Sequence, residues 1–380
     1  MSLAPGLGSE IRRCAQNTAA VVVALLLLLS ASGCHHRAVP TSVAPQRVDT
    51  LWYATVRKRS GARLTYQLAD SLEYGFYRMT SRPNVDVMRN RLHLRMIDSG
   101  RVTREDFLAA MSAPSPDANG AVILSVHGYA VSHSLAMRAA GEAFLRSGTG
   151  ARWVVFSWPS SGRRMSLLQP SPYILTNAYH KDSIAADKSS PAFAALLLDL
   201  HTQLGGQRLV LVTHSMGAQL TTELMTRDSV VRARLLASPL RAIGLFAPDL
   251  PWNRFAEHTV PLLRGVTSRL ALYASTNDRM LYFSRWVNRS DRAGLLGKTP
   301  RVMDGLETID VTRGESSEDW LWRHFGAHHA MKRESSALRD FFDIVAAGRM
   351  PVCRITNGTA ELRADSLWHL LPARARNSLC

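Results

Sequence analysis

Lysine, charged residues in general and metal-binding motifs are scarce in this sequence. Only five of the 46 basic residues are lysine, so the positive charge is carried almost entirely by arginine. Charged residues make up 20% of the chain and apolar residues 46%, which argues against disorder and predicts a sizeable core. Neither H-E-x-x-H nor paired C-x-x-C motifs occur, so we predict no metal and no cofactor.

The apolar run Ala19–Leu29 is too short to be a comfortable membrane span. It follows Arg12 and Arg13 and has the length of a signal-peptide core. It leads into the residues SASGC, which resemble a bacterial lipobox, and that resemblance implies cleavage before Cys34 and acylation of its thiol. An uncleaved anchor and an ordinary secretory signal are the alternatives, and all three would export the protein.

Cysteine is also rare, with four residues in the chain. Removal of a signal peptide would take Cys14, and lipidation would use Cys34. The other two, Cys353 and Cys380, would then lie in an oxidising compartment, and we hypothesise a disulfide between them.

The net charge is +16. A basic surface can favour nucleic acid or anionic lipid head groups. The arginines are spread along the chain and no nucleic-acid-binding motif accompanies them, so we predict no nucleic-acid partner. Attraction to an anionic membrane surface would explain the charge, as would arginine-rich codon usage with no partner at all.

The stretch Arg208–Leu220, RLVLVTHSMGAQL, is the strongest indication of chemistry. Leu209–Thr213 is apolar and β-branched enough for a buried parallel strand, and a helical pattern begins after Gly217. A serine between such a strand and such a helix is the arrangement of a nucleophile elbow, which makes Ser215 the candidate nucleophile. Thr213 stands where glycine is usual, and an ordinary helix N-cap is the alternative interpretation of Ser215.

Apolar strands alternate with helix-length segments from residue 121 onwards. The predicted strands are Ala121–Val126, Trp153–Trp158, Leu209–Thr213, Ala242–Phe246, Leu270–Ala274 and Leu306–Val311. The predicted helices are Ser134–Arg146, Pro191–Leu204, Gln219–Arg227 and Trp252–Arg264, with a final helix over Ser335–Ala347. This alternation predicts an α/β fold with a mostly parallel sheet and helices on both faces.

Strand-like segments before residue 121 would form an antiparallel edge of the sheet. We predict strands from Val48, over Leu72–Thr80 with a break at Gly75, and over Leu92–Ile97. A turn at residues 98–100 and a helix over Arg101–Met111 would follow.

Catalytic groups of open parallel sheets gather at the carboxyl ends of the strands. His127-Gly128-Tyr129 follows the first strand of the alternating series, and a glycine there allows close approach of the backbone to a ligand. The backbone N–H groups of Tyr129 and Met216 would form an oxyanion hole. Alternatively, Gly128 serves only the turn.

A carboxylate after a strand could orient a catalytic histidine. Asp278 after the strand Leu270–Ala274 is favoured over Asp249, which follows the preceding strand. The base should follow the last strand. Its candidates are, in order of preference, His328, His329 and His324. The chain order serine, aspartate, histidine is the one expected of α/β hydrolases.

Six short motifs follow one another along the chain: Y-x-T-x-R at Tyr53-Ala54-Thr55-Val56-Arg57, V-H-G-Y at Val126–Tyr129, F-S-W-P-S at Phe156–Ser160, H-S-M-G at His214–Gly217, A-P-D at Ala247–Asp249, and Y-A-S-x-x-D at Tyr273–Asp278. Through these motifs the chain, from about Thr50 to Gly348, resembles an uncharacterised α/β-hydrolase family common in bacterial envelopes. The family also carries an H-S-Y-F-like box about twelve residues before an aspartate in the last helix. His328 and Asp340 have that spacing in this chain. The box itself departs from the family pattern, because His329-Ala330-Met331 stands in place of S-Y-F.

These observations predict a signal peptide over 1–33, a tether over 34–48, an α/β-hydrolase domain over 49–348 and a C-terminal tail over 349–380. We expect an envelope-anchored serine hydrolase that acts on a small-molecule or lipid ester, with its lipid anchor in a membrane and the protein on the periplasmic or extracytoplasmic side. An amidase or acyltransferase with the same triad, or a binding or scaffolding lipoprotein, are the rival hypotheses. The segments Ser160–Ser190 and Leu281–Thr299 are the expected rim of the site, with Tyr179 and Trp286 among its candidate lining residues.

Overall fold

The structure is a computed structural model that describes residues 48–82, 93–115, 120–161, 172–297, 301–313, 336–363, 367–371 and 380. All of them belong to one compact unit, Gln46–Cys380. The predicted signal peptide, including Cys34, lies outside the described residues.

The described residues form one sheet of eleven strands. The strands are β1 Val48–Ser60, β2 Arg63–Arg82, β3 His93–Val102, β4 Val122–Val126, β5 Arg152–Ser157, β6 Leu209–His214, β7 Ala242–Phe246, β8 Leu270–Ala274, β9 Glu307–Asp310, β10 Ala360–Leu362 and β11 Trp368–Leu370. Their order is β10-β11-β9-β8-β7-β6-β4-β5-β1-β2-β3. Neighbours from β11 to β1 in this order are parallel, whereas β2 and β3 at one edge and β10 at the other pair antiparallel.

The inner strands are buried at every position because helices cover both faces of the sheet. Successive residues of a strand point to opposite faces, so each strand contributes to two cores. Ile123 and Val212 pack in one core, with Met137 and Phe341 among their neighbours. Leu124 packs in the other core. The prediction of a mostly parallel sheet with helices on both faces and antiparallel N-terminal edge strands is confirmed.

The helices in chain order are α1 Arg104–Ser112, α2 His133–Ser147, α3 Pro172–Leu204, α4 Met216–Arg227, α5 Ser229–Ala237, α6 Trp252–Arg254, α7 Val260–Gly265, α8 Arg279–Asn288, α9 Ser336–Asp340 and α10 Cys353–Thr356. A π-helical turn, Phe255–Thr259, joins α6 to α7, and another, Phe341–Ala346, continues α9. The predicted start of a helix at Pro191 was wrong, since α3 begins at Pro172 and carries Pro191 inside it. Proline is common at the first position of a helix, which is why the pattern suggested a start there.

The glycines of the antiparallel edge do not interrupt their strands. The predicted break at Gly75 and the predicted turn at residues 98–100 were both wrong, because β2 and β3 run through them. A Cβ on Gly75 would lie 2.4 Å from the Tyr53 ring, and one on Gly100 would lie 2.8 Å from the Phe76 ring. An aromatic ring of the neighbouring strand therefore occupies the space above each glycine. Helix α1 consequently begins at Arg104, three residues later than predicted.

The C-terminal segment adds to the sheet and is cross-linked. Strand β11 pairs with β9, and β10 pairs with β11. Cys353 at the start of α10 forms a disulfide with Cys380, as hypothesised. No helix within the part of the chain that the structure describes has the length and apolarity to cross a membrane.

The disulfide yields a prediction about stability. Replacing Cys353 and Cys380 together by serine should lower the free energy of unfolding by about 2–4 kcal/mol, because the cross-link restricts the unfolded chain. Urea denaturation of the wild type and the double variant measures the difference. If mass spectrometry finds both thiols free in protein purified without reductant, the cross-link does not exist.

Candidate active site

Ser215 lies in a sharp turn between β6 and α4. Its backbone has φ 53° and ψ −121°, a region that costs a non-glycine residue about 1–3 kcal/mol and persists only where the surroundings impose it. The N–H of Ser215 donates to the carbonyl of Phe246 at 2.9 Å. The carbonyl of Ser215 accepts from the N–H groups of Ala218 at 3.0 Å and Asp249 at 3.2 Å. The structure therefore forms the turn that the sequence predicted at this serine.

Two glycines make this turn possible. A Cβ on Gly217 would stand 2.6 Å from the carbonyl oxygen of Val126, and one on Gly128 would stand 2.8 Å from Cβ of Ser215. The start of α4 and the loop after β4 can approach so closely only because both residues lack side chains. Thr213, in place of the usual glycine, is a fully buried strand residue whose φ is not positive, so a side chain is tolerated there.

The loop after β4 carries the predicted oxyanion-hole donor. Gly128 places Tyr129 beside the nucleophile turn, and no described residue accepts the N–H of Tyr129. Met216 is the first residue of α4, where backbone N–H groups have no partner within the helix. Two N–H groups are thus available near Ser215. This arrangement can stabilise a negative oxygen that develops on a carbonyl attacked by the serine.

The two candidate aspartates have different environments. Asp249 is buried and accepts hydrogen bonds from Arg292 Nε at 2.6 Å, Ser284 Oγ at 2.6 Å and Tyr179 Oη at 2.8 Å. Both of its oxygens are therefore engaged in an internal ion-pair network. Asp278 is fully buried at the end of the loop after β8, where it caps α8 by accepting from the N–H of Leu281 at 3.0 Å.

The candidate bases His324, His328 and His329 lie outside the described residues, so the choice among them stays a prediction. Asp340, whose spacing from His328 the resemblance uses, accepts two hydrogen bonds from Arg354 and one from Tyr273 Oη at 2.8 Å. This aspartate holds the C-terminal segment against the sheet.

His133 does not have the properties of a general base. Its Nδ1 lies 3.0 Å from Ser157 Oγ, and burial, followed by the positive charges of Arg57 and Arg59, lowers its pKa to about 3. A histidine with so low a pKa is a weak proton acceptor at neutral pH. His214 precedes the nucleophile and is buried in the turn.

Of the two expected rim residues Trp286 and Tyr179, one is exposed and the other is buried. Trp286 is 61% exposed on α8, whereas Tyr179 is 4% exposed and bonded to Asp249. Tyr179 therefore supports the internal network and does not line an open pocket. Sequence reasoning missed Asp182, which lies in the supposed rim segment but belongs to α3 and contacts the loop that carries Tyr129. Nothing in the sequence distinguished it, because Asp182 stands among the polar residues His180, Lys181 and Ser183.

Among the described residues, no group of three His, Cys, Asp or Glu side chains is placed to hold a metal ion. The prediction that no metal takes part stays a prediction.

Comparison with known proteins gives a family and a set of structures. The model of the family described as alpha/beta hydrolase of unknown function (DUF900) matches residues 106–332. No curated protein matches the sequence.

Similar solved structures include esterase PE8, at 17% identity over 59% of this chain and 98% of the other, with a TM-score of 0.29. A predicted CIB-like hydrolase from Thermoplasma acidophilum is 13% identical over 80% and 99%, with a TM-score of 0.32. A cold-adapted esterase from an Arctic intertidal metagenomic library is 13% identical over 78% and 94%, with a TM-score of 0.35.

The two aspartates should respond differently to the same substitution. Asp249→Asn should lower the free energy of unfolding by about 3–5 kcal/mol, because it leaves the buried charge of Arg292 unpaired. Asp278→Asn should cost less than that, because asparagine can keep the capping bond to the N–H of Leu281. Chemical denaturation of both variants measures the difference. The reverse order would make Asp249 the carboxylate available for chemistry.

Proposed function

The chain belongs to the family of alpha/beta hydrolases of unknown function (DUF900), and from that premise we propose that it is a serine hydrolase acting on carboxylic esters. The family match also confirms the predicted α/β-hydrolase fold. The proposed machinery comprises Ser215 as nucleophile, His328 as base and Asp278 as its orienting carboxylate, with the N–H groups of Tyr129 and Met216 as the oxyanion hole.

The observation that carries this proposal is the backbone of Ser215. A positive φ at a serine between a buried strand and a helix is strained, and hydrogen bonds with the end of β7 and with the loop after β7 maintain it. An ordinary N-cap serine has an extended backbone and bonds to the first turn of its helix. Ser215 makes no such side-chain bond, which supports the nucleophile interpretation over the N-cap.

In the proposed reaction, His328 takes the proton of Ser215 Oγ as this oxygen attacks the ester carbonyl. The carbonyl oxygen becomes negative and accepts hydrogen bonds from the N–H groups of Tyr129 and Met216. The C–O bond to the alcohol then breaks, and His328 protonates the leaving oxygen. Water, deprotonated by His328, attacks the acyl-enzyme and releases the acid and free Ser215. Asp278 would accept the other ring N–H of the histidine throughout.

Esters are proposed over amides by analogy, because ester hydrolysis is the commonest chemistry of this fold. An amidase or an acyltransferase would use the same residues and differ in the leaving group or the acceptor. A binding or scaffolding protein would need neither the strained serine nor the adjacent N–H donors.

Labelling with a fluorophosphonate probe tests the nucleophile. Residues 35–380 contain the whole compact unit, and we expect Ser215 Oγ to attack phosphorus with loss of fluoride. Ser215→Ala should abolish labelling without changing the thermal unfolding temperature. The matched control is Ser125→Ala, a buried serine of β4 whose hydroxyl bonds to Val154 and which should label like the wild type. A well-folded wild type that does not label would favour the binding protein.

We also propose that an acylated Cys34 holds the protein to the cell envelope. The supporting observations are the basic start, the apolar run and the SASGC segment, and the surplus of arginine suits an anionic membrane surface. The expected location is the periplasmic or extracytoplasmic face of a membrane.

Fractionation of cells tests the anchor. The wild type should sediment with membranes and incorporate labelled palmitate, whereas Cys34→Ala should do neither. A Cys34→Ala protein that remains in the membrane fraction would indicate an uncleaved anchor. A wild type found only in the soluble fraction would indicate an ordinary secretory signal.

A further inference from the structure

Arg57 of β1 is 1% exposed and makes no ion pair with any described carboxylate. Burial lowers its pKa to about 10, so the guanidinium stays charged at neutral pH. A buried charge is costly unless hydrogen bonds satisfy it. The partners that satisfy Arg57 therefore indicate why the residue is there.

Those partners are oxygens of the loop after β4, of the last residue of β5 and of the loop after β5, with one exception. The Nη2 of Arg57 donates to the carbonyl of Val131 at 2.8 Å, and Nη1 donates to the carbonyl of Ser160 at 3.2 Å. Nε donates to Ser157 Oγ at 3.0 Å. The exception is the carbonyl of Thr65 in β2, at 3.3 Å from Nη1. Arg57 thus ties the loop after β4 to the end of β5.

Asp182 of α3 holds the same two loops from the other side. It is 1% exposed. One carboxylate oxygen accepts from the N–H of Ala130 at 3.0 Å and from Ser160 Oγ at 2.6 Å, and the other accepts from the N–H of Ser161 at 2.7 Å. Ser160 Oγ in turn accepts from the N–H of Val131 at 3.0 Å. Ser160 therefore bridges the buried guanidinium and the buried carboxylate, whose opposite charges compensate each other.

The result is a loop that is fixed on both sides of Tyr129. Before it, the carbonyl of His127 accepts from Trp158 Nε1 at 2.7 Å. After it, the N–H groups of Ala130 and Val131 are engaged, and Ala130 is held at φ 55°, which is strained for a residue with a side chain. The N–H of Tyr129 itself has no acceptor among the described residues. The polar groups on either side of Tyr129 that hold the loop are thus engaged, whereas the N–H of Tyr129 stays available beside Ser215.

We propose that Arg57 and Asp182 are positioning residues that aim the Tyr129 N–H at the reacting oxygen. This inference rests on the proposed serine hydrolase function. Neither side chain would touch the substrate. Their role is to keep a backbone donor in place, because a donor displaced by about 1 Å can lose about 10²-fold in rate.

The test uses the full chain in mild detergent and the variants Arg57→Lys, Asp182→Asn and Ser160→Ala. The rate of fluorophosphonate labelling is measured as a function of probe concentration, well below the unfolding temperature of each variant. Each should lower the rate at saturating probe by about 10–10²-fold, with little change in the half-saturating concentration, because an oxyanion-hole donor acts on the transition state. Ser160→Ala removes only one hydroxyl, which bonds Asp182 and the N–H of Val131. It therefore still tests the inference if Arg57→Lys does not fold.

Arg152→Lys is the matched control. Arg152 lies at the opposite end of β5, where its guanidinium also bonds backbone carbonyls, those of Met111 and Pro114. It should lose stability and keep the wild-type labelling rate, which separates positioning from stability.

Three results would overturn the inference. If the wild type labels and the three variants label at its rate, the loop does not need these residues, although the hydrolase proposal stands. If the wild type does not label, the proposed function fails and the inference fails with it. If Arg152→Lys lowers the labelling rate as much as the three variants do, the fall comes from lost stability and contradicts a positioning role.

Discussion

The strained backbone at Ser215 is the constraint on which the rest of this structure depends. A serine at positive φ between a strand and a helix relaxes unless its neighbours prevent it. Here the end of β7 supplies the acceptor for its N–H, and the loop after β7 supplies a donor to its carbonyl. The ion pair of Asp249 with Arg292 holds the loop after β7 in turn. A buried ion pair one strand away thus helps to maintain the nucleophile turn.

The polar groups at the carboxyl end of the sheet are divided between two tasks. Asp249 and Arg292 stabilise the side of Ser215 that faces β7, and Arg57 and Asp182 stabilise the side that faces β4. Buried charges of this kind contribute little net stability, because desolvation offsets their attraction. Their benefit is geometric. They fix two loops relative to a strained turn, which apolar packing alone would specify less sharply.

The sequence predicted what depends on local pattern. Continuous apolar runs identified the inner strands within one residue, and a small-residue turn after one of them identified Ser215. Features that depend on contact across the sheet were missed or misread. Gly100 suggested a turn because the Phe76 ring above it belongs to another strand. Asp182 gave no indication because its partners are mostly backbone groups about 20 to 50 residues earlier. The choice of His328 rests on order and resemblance and stays a prediction.

A crystal structure of the protein after reaction with a fluorophosphonate would test the central claim most directly. The account predicts a covalent bond between Ser215 Oγ and phosphorus. It also predicts a phosphoryl oxygen about 2.7–3.1 Å from the N–H nitrogens of Tyr129 and Met216, and an imidazole nitrogen of His328 within hydrogen-bond distance of the serine oxygen. Attachment to another residue, or a phosphoryl oxygen that faces away from the loop after β4, would contradict it.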